Sequence, residues 1–187
     1  LETERLILRP WQAADRDPFA RLNADPRVME FLPGCLDRAE SDALADRIAN
    51  HFAAHGFGLW VVDVPGAGFA GCVGLLRVPE TLPFAPTLEL AWRLDPAFWG
   101  RGYATEAAQH CLRVAFEDLD ATDVVAYTVP ANRASWRVME RIGMARDVAG
   151  DFDHPALPAG HRLRRHVLYR MDRAVPNEPG RVAGVRG

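Results

Sequence analysis

Apolar residues recur along this chain with two periods, and each change of period marks an element. Leu6 and Leu8 alternate with Ile7 and Arg9 over residues 1–9 and predict a first strand, ended by Pro10. Asp15 to Asn23 carries Phe19 and Leu22 and predicts a short helix stopped at Asp25-Pro26. Val28 to Leu32 is apolar but brief, and Pro33-Gly34 breaks it. Arg38 to His55 spaces Leu44, Ile48 and Phe52 four apart on one helical face, with Gly56 at the C-terminal cap. Phe57 to Val62 and Phe69 to Val78 flank a Pro/Gly turn over residues 63–68 and predict a strand pair. Residues 79–87 contain Pro79, Pro83 and Pro86 and predict a loop.

The most structured stretch follows. Leu88, Leu90, Trp92 and Leu94 alternate with Glu89, Ala91 and Arg93, the period of a strand. Ala104, Ala108, Cys111, Leu112, Ala115 and Phe116 then fall on one helical face. Asp123 to Thr128 predicts another strand, and Ala134 to Ile142 a helix ended by Gly143. Residues 150–160 read as a loop and residues 162–172 as a final strand. From Ala174 onward the chain is rich in Pro and Gly and aperiodic. The expectation is one domain over residues 1–173 and a disordered tail over 174–187.

Between the central strand and its helix, Gly100-Arg101-Gly102-Tyr103-Ala104-Thr105 leaves backbone N–H groups free where a helix dipole begins. Such a turn is an anion site, and a phosphate is the natural ligand. A nucleotide P-loop needs a Gly-Lys pair, and this chain has no lysine. A dinucleotide fingerprint needs a third glycine close by, whereas the next after Gly102 is Gly143. By itself, a glycine pair can equally just turn the chain into a helix.

The run from Asp95-Pro96 through Trp99-Gly100-Arg101-Gly102-Tyr103-Ala104-Thr105-Glu106-Ala107 resembles the acetyl-CoA pyrophosphate loop of GNAT-superfamily N-acetyltransferases. Within that superfamily it is most similar to the ribosomal-protein-type, RimJ/RimL-like branch. Gly102-Tyr103-Ala104 fits the end of the superfamily pattern, with Trp99 where Gln or Arg would stand. LETERLILRPW at the start resembles the first strand of the same branch. Asn132-x-x-Ser135, with Gly143-Met144 after it, resembles the branch's motif at the next helix. The resemblance covers residues 3–172.

It implies an α/β (α+β) GNAT fold, a mixed central sheet of six to seven strands with helices on both faces. It also implies acetyl-CoA as co-substrate, and transfer to an amine by direct attack in a ternary complex. Coenzyme contacts carry over to the backbone of Trp92, Arg93 and Leu94, to Gly100, Arg101, Gly102, Tyr103, Ala104 and Thr105, and to Asn132 and Ser135. The strand of Glu89–Leu94 would splay from that of Val124–Tyr127, so that the amides of the pantetheine arm pair with a strand edge. Glu89 is a candidate base; equally, it binds the substrate ammonium or sits at the sheet surface. Ser135 is a candidate donor to the leaving thiolate, while Asn132 and Ser135 also suit a helix start. Tyr127 and Tyr169 are further candidates for the acid. The acceptor is a protein N-terminus or a small-molecule amine, and a coenzyme-binding module without turnover is the alternative.

Composition narrows the partners. The chain has 187 residues, 49% hydrophobic and 25% charged, with net charge −3, which argues against generic nucleic-acid or anionic-membrane binding. Arginines near the C-terminus, from Arg162 to Arg173, read as a solvated strand face. Three cysteines, odd in number and without metal spacing, point to a reducing, cytoplasmic compartment. Cys72 and Cys111 read as core. No apolar run approaches the roughly 18 residues of a membrane span, and no signal-peptide pattern opens the chain. His154, His161 and His166 lack partners at metal-ligand spacing, so no metal is expected. Asp151, Asp153 and His154 form a candidate contact for a cationic acceptor. An exposed edge strand offers a route to a homodimer.

Overall fold

The computed structural model describes residues 1–173; the expected tail at 174–187 lies outside the described residues. Its strands are β1 (Ile7–Arg9), β2 (Leu59–Val64), β3 (Gly68–Arg77), β4 (Leu88–Leu94), β5 (Asp123–Thr128), β6 (Ala145–Asp153) and β7 (Arg165–Asp172). Its helices are α1 (Arg16–Ala24), α2 (Pro26–Met29), α3 (Arg38–His55), α4 (Tyr103–Arg113) and α5 (Arg133–Arg141). The strands form one mixed sheet in the order β1-β2-β3-β4-β5-β7-β6.

Alternation along β3 decides which helices lie on which face. Val73 and Leu75 point into a cluster with Leu90, Ala107, Ala108 and Cys111, so α4 covers that side. Met139 of α5 joins the same cluster. Cys72, one residue off in register, packs with Phe19, Leu22, Ala45 and Ile48, so α1 and α3 cover the other side. Helices on both faces of a mixed sheet are the expected architecture.

Local chemistry sets the ends of these helices. Asp37 and Glu40 form a reciprocal capping box on α3, at 2.8 Å in each direction. Gly56 ends α3 at φ 76°, a conformation that glycine adopts without strain. Arg9 holds β1 to the start of α1 through paired bonds of 2.7 Å to the buried Asp15, and also reaches Asp63 at 2.9 Å. After α4 the chain widens into a π turn over Val114–Asp118.

Two expectations need correction. Residues 150–160 are not all loop, because β6 runs to Asp153 and pairs with β7. Its sequence, ARDVAGDFD, does not alternate cleanly because the register shifts between Asp147 and Phe152. The last strand starts at Arg165, since residues 161–164 turn through Arg164 N–H to the His161 carbonyl at 2.9 Å. The apolar piece after Asp25 is the short helix α2, with Pro26 at its first position.

The β2–β3 pairing is close enough to exclude side chains at one point. A Cβ on Gly74 would lie 2.0 Å from the Gly58 carbonyl oxygen and 2.8 Å from Leu59 Cα. Gly74→Ala is therefore expected to lower stability by about 3 kcal/mol, the upper part of the overpacking range, in urea unfolding. Gly34→Ala, with nothing within 4 Å of the added carbon, is expected to stay within about 0.5 kcal/mol of the parent.

Candidate active site

The site begins where the sheet opens. β4 and β5 run parallel and pair only through Leu88 with Val124 and Glu89 with Val125. Beyond those two pairs β4 stays in register with β3 as far as Leu94, and β5 with β7 as far as Thr128. Each strand follows its own half of the sheet, and a wedge opens between Leu90–Leu94 and Ala126–Thr128. A cavity of about 290 Å³ occupies it. From the α1/α3 side it is lined by Phe19, Leu44, Ile48, Cys72, Glu89 and Arg93. Leu90, Trp92, Thr128, Asn132, Ser135 and Met139 line it from the wedge and the start of α5.

At the end of β4 the chain turns through Gly100 and Gly102, at φ 74° and 81°, into the N-terminus of α4. Both angles favour glycine, and a Cβ on Gly100 would meet nothing within 4 Å. Among the described residues, the backbone N–H groups of residues 100–105 have no acceptor. A run of free donors at the positive end of an eleven-residue helix suits a pyrophosphate.

The N-terminal segment braces this turn. Glu106 accepts from Thr3 Oγ1 at 2.6 Å, from the Arg5 backbone at 2.8 Å and from Arg5 Nε at 2.7 Å. Arg5 also donates to the Arg101 carbonyl at 2.9 Å and lies over the Tyr103 ring. Trp99, where Gln or Arg was expected, donates from Nε1 to the Leu94 carbonyl at 2.8 Å and ties the turn to β4. Sequence reading did not find this brace, because Glu106 lies 103 and 101 residues from Thr3 and Arg5, with no shared spacing.

Glu89 is enclosed by protein and faces the cavity. Burial pushes its carboxyl above the ordinary value, against an opposing 2.7 Å hydrogen bond from Tyr127 Oη. Burial and the neighbouring Glu89 push the Tyr127 phenol upward. Tyr127 thus keeps its proton and spends it on Glu89. Tyr169 lies elsewhere; it packs on Trp136 and donates to Glu140 at 3.2 Å.

Asn132 is the cap of α5, accepting from the Ser135 N–H at 3.2 Å. Its amide donates at 3.0 Å both to Ser135 Oγ and to Thr128 Oγ1. With Oγ already accepting a bond, the Ser135 hydroxyl hydrogen is free to point into the cavity. Helix start and cavity contact thus coexist in one pair of residues.

Arg93 departs from its expected role as a backbone donor alone. Its guanidinium is half-buried, lines the cavity and donates to Asn23 Oδ1. Asn23 is held in turn by a 2.9 Å bond from its amide to the buried Ser41 Oγ.

Other candidates lie outside the cavity lining. Asp151 pairs with Arg146 at 2.6 Å and accepts from the Leu168 N–H, and Asp153 pairs with Arg164 at 3.3 Å. His154 and His166 pack around Phe152, and burial lowers both imidazoles. His161 accepts from the Leu163 N–H at 3.1 Å.

A sheet splayed beside a glycine turn at a helix N-terminus, with a half-buried carboxyl at the root of the wedge, is the arrangement that the resemblance to GNAT acetyltransferases implies. The acetyltransferase (GNAT) domain model matches residues 5–145, and the chain belongs to that family. It is 32% identical over 146 residues to the uncharacterized protein YkkB of Bacillus subtilis, covering 77% of this chain and 84% of that one. It is 34% identical over 151 residues to FsC-acetyl coenzyme A-N(2)-transacetylase of Aspergillus fumigatus, covering 77% and 64% respectively. An acetyltransferase structure from Agrobacterium tumefaciens superposes with a TM-score of 0.75 at 32% identity, over 92% of this chain and 94% of that one.

Because burial raises the Glu89 carboxyl, the ascending limb of kcat/KM against pH is expected to lie above pH 4.5, the ordinary value for the group. Deprotonation is needed for base action, so activity rises through that limb. Glu89→Gln is expected to remove the limb and lower kcat by about 10²–10³-fold.

Proposed function

We propose that this protein is an acetyl-CoA-dependent N-acetyltransferase of the RimJ/RimL-like branch, acting on an amine in the cytoplasm. The observation that carries the reading is the wedge between β4 and β5, whose cavity is lined by Glu89 and Ser135 and which opens along the end of β4 that leads into the α4 turn with its free N–H groups. The residues suit the coenzyme. Gly100 to Thr105 would hold the pyrophosphate, the unpaired edges of Trp92–Leu94 the pantetheine amides, and Asn132 and Ser135 the thioester end.

The acetyl group is the coenzyme's contribution; the chain supplies position and protons. Glu89 takes a proton from the acceptor ammonium, so that neutral nitrogen attacks the thioester carbonyl. A backbone N–H on the Trp92–Leu94 strand stabilises the developing oxyanion. The carbon–sulfur bond breaks as the amide forms, and the Ser135 hydroxyl passes a proton to the departing thiolate. Direct attack is favoured over an acyl-enzyme by the one cysteine on the cavity wall. Burial pushes the Cys72 thiol up to about 11, which keeps it protonated and a poor nucleophile at neutral pH. Strands β1 and β6 are the sheet edges through which a homodimer would pair.

Coenzyme A release with a panel of amines tests this reading, with intersecting rather than parallel initial-rate plots expected for a ternary complex. Binding of acetyl-CoA with no amine acetylated would favour a coenzyme-binding module instead. Ser135→Ala is expected to lower kcat about 10²-fold, a larger effect than its loss of one contact to the thioester end of acetyl-CoA. Full kcat in that variant would reduce Ser135 to a helix-start residue.

A further inference from the structure

Arg93 is the feature of the cavity that acetyl transfer alone does not explain. It lies on the α1/α3 face of β4, as does Glu89, with Cys72 across the β3 pairing. The α4 turn belongs with the opposite face, where Ala107, Ala108 and Cys111 pack on Val73 and Leu75. The guanidinium is therefore placed away from the pyrophosphate donors. Its one hydrogen-bond partner among the described residues is a neutral amide oxygen, that of Asn23, and no carboxylate pairs with it.

A guanidinium has five N–H donors and carries a full charge, and one half-buried on an apolar cavity wall without a counter-ion is left with donors to offer a ligand. Fourteen ion pairs among the described residues involve other arginines, so acidic partners are plentiful elsewhere in the fold. Asn23 is itself fixed by Ser41, so the α1–α3 pair orients the arginine into the cavity. The rest of that wall is apolar, with Phe19, Leu44, Ile48 and Leu76. At about 290 Å³ the cavity has the volume of a small molecule.

We infer that Arg93 is the carboxylate anchor of the acceptor site, and that the acceptor is a small amine bearing a free carboxylate at the far end of an apolar body, an ω-amino acid or a close analogue, because Glu89 and Arg93 stand four residues apart along β4. This rests on the acetyltransferase reading above and names its substrate class. The acceptor nitrogen lies at Glu89 and its carboxylate at Arg93. The N-acetyl bond forms as the thioester carbon–sulfur bond breaks, and the products are the N-acetylated acid and coenzyme A thiol. The same guanidinium disfavours polyamines, whose second cation would face it.

Paired acceptors test this. Leucine against leucinamide, and 6-aminohexanoate against its amide, differ only in the carboxylate; 3-methylbutylamine and spermidine complete the set. In the 6-aminohexanoate pair the acid is expected to exceed the amide in kcat/KM by about ten- to a hundredfold. Arg93→Gln is expected to abolish that preference through KM for the acids, and Arg93→Lys to restore part of it. Amides or plain amines acetylated as well as the acids would overturn the inference and leave the transferase reading standing. An equal loss for acid and amide in Arg93→Gln would overturn it too, making the guanidinium a general electrostatic group. No acetylation of any amine in the set would overturn both readings.

Discussion

The parallel ladder between β4 and β5 ends after Glu89 and Val125 although both strands continue, and much else in the molecule follows from that interruption. Unpaired backbone groups in the middle of a sheet are costly, on the order of 1–3 kcal/mol each when buried without a partner. The fold sustains them because each half of the sheet is complete on its other side. β4 is paired along its whole length with β3, and β5 along its whole length with β7. A ligand with its own amides can supply the missing partners, and the coenzyme arm is such a ligand.

The same interruption sets the polarity of the site. One opening of the wedge leads towards the α4 turn, where free N–H groups and the helix dipole favour anions. Its root holds Glu89, enclosed and bonded by Tyr127, where burial favours the protonated acid and makes the carboxylate a stronger base. The turn itself is fastened from outside the sheet. Glu106 draws Thr3 and Arg5 onto the start of α4, so the segment before β1 braces the glycine turn. That connection gives the N-terminal residues a role beyond completing a sheet edge.

Much of this was legible in the sequence because the signals were local. Leu88 to Phe116 states a strand, a glycine turn and a helix by period and by turn chemistry, and Asn132-x-x-Ser135 marks the start of α5. Strand β6 was hidden because it is an irregular edge strand with Gly150 inside it and a shift in register. The partners of Glu89 and Arg93 were hidden for another reason. Tyr127 and Asn23 lie 38 and 70 residues away and meet them only through the sheet order and the packing of α1. A period-two pattern put Glu89, Ala91 and Arg93 on one face but could not reveal that this face is a cavity wall rather than a wet surface.

The central claim is that the α4 turn and the wedge hold acetyl-CoA, and thermal unfolding with the ligand tests it most directly. Acetyl-CoA at about 100 times its dissociation constant should stabilise the protein by about 2.7 kcal/mol, a readable rise in Tm. The rise should vanish in Gly102→Glu, which sets a carboxylate against the free N–H groups, when each protein is compared with its own unliganded Tm. No rise in the parent protein at saturating acetyl-CoA, or an equal rise in the variant, would contradict the account.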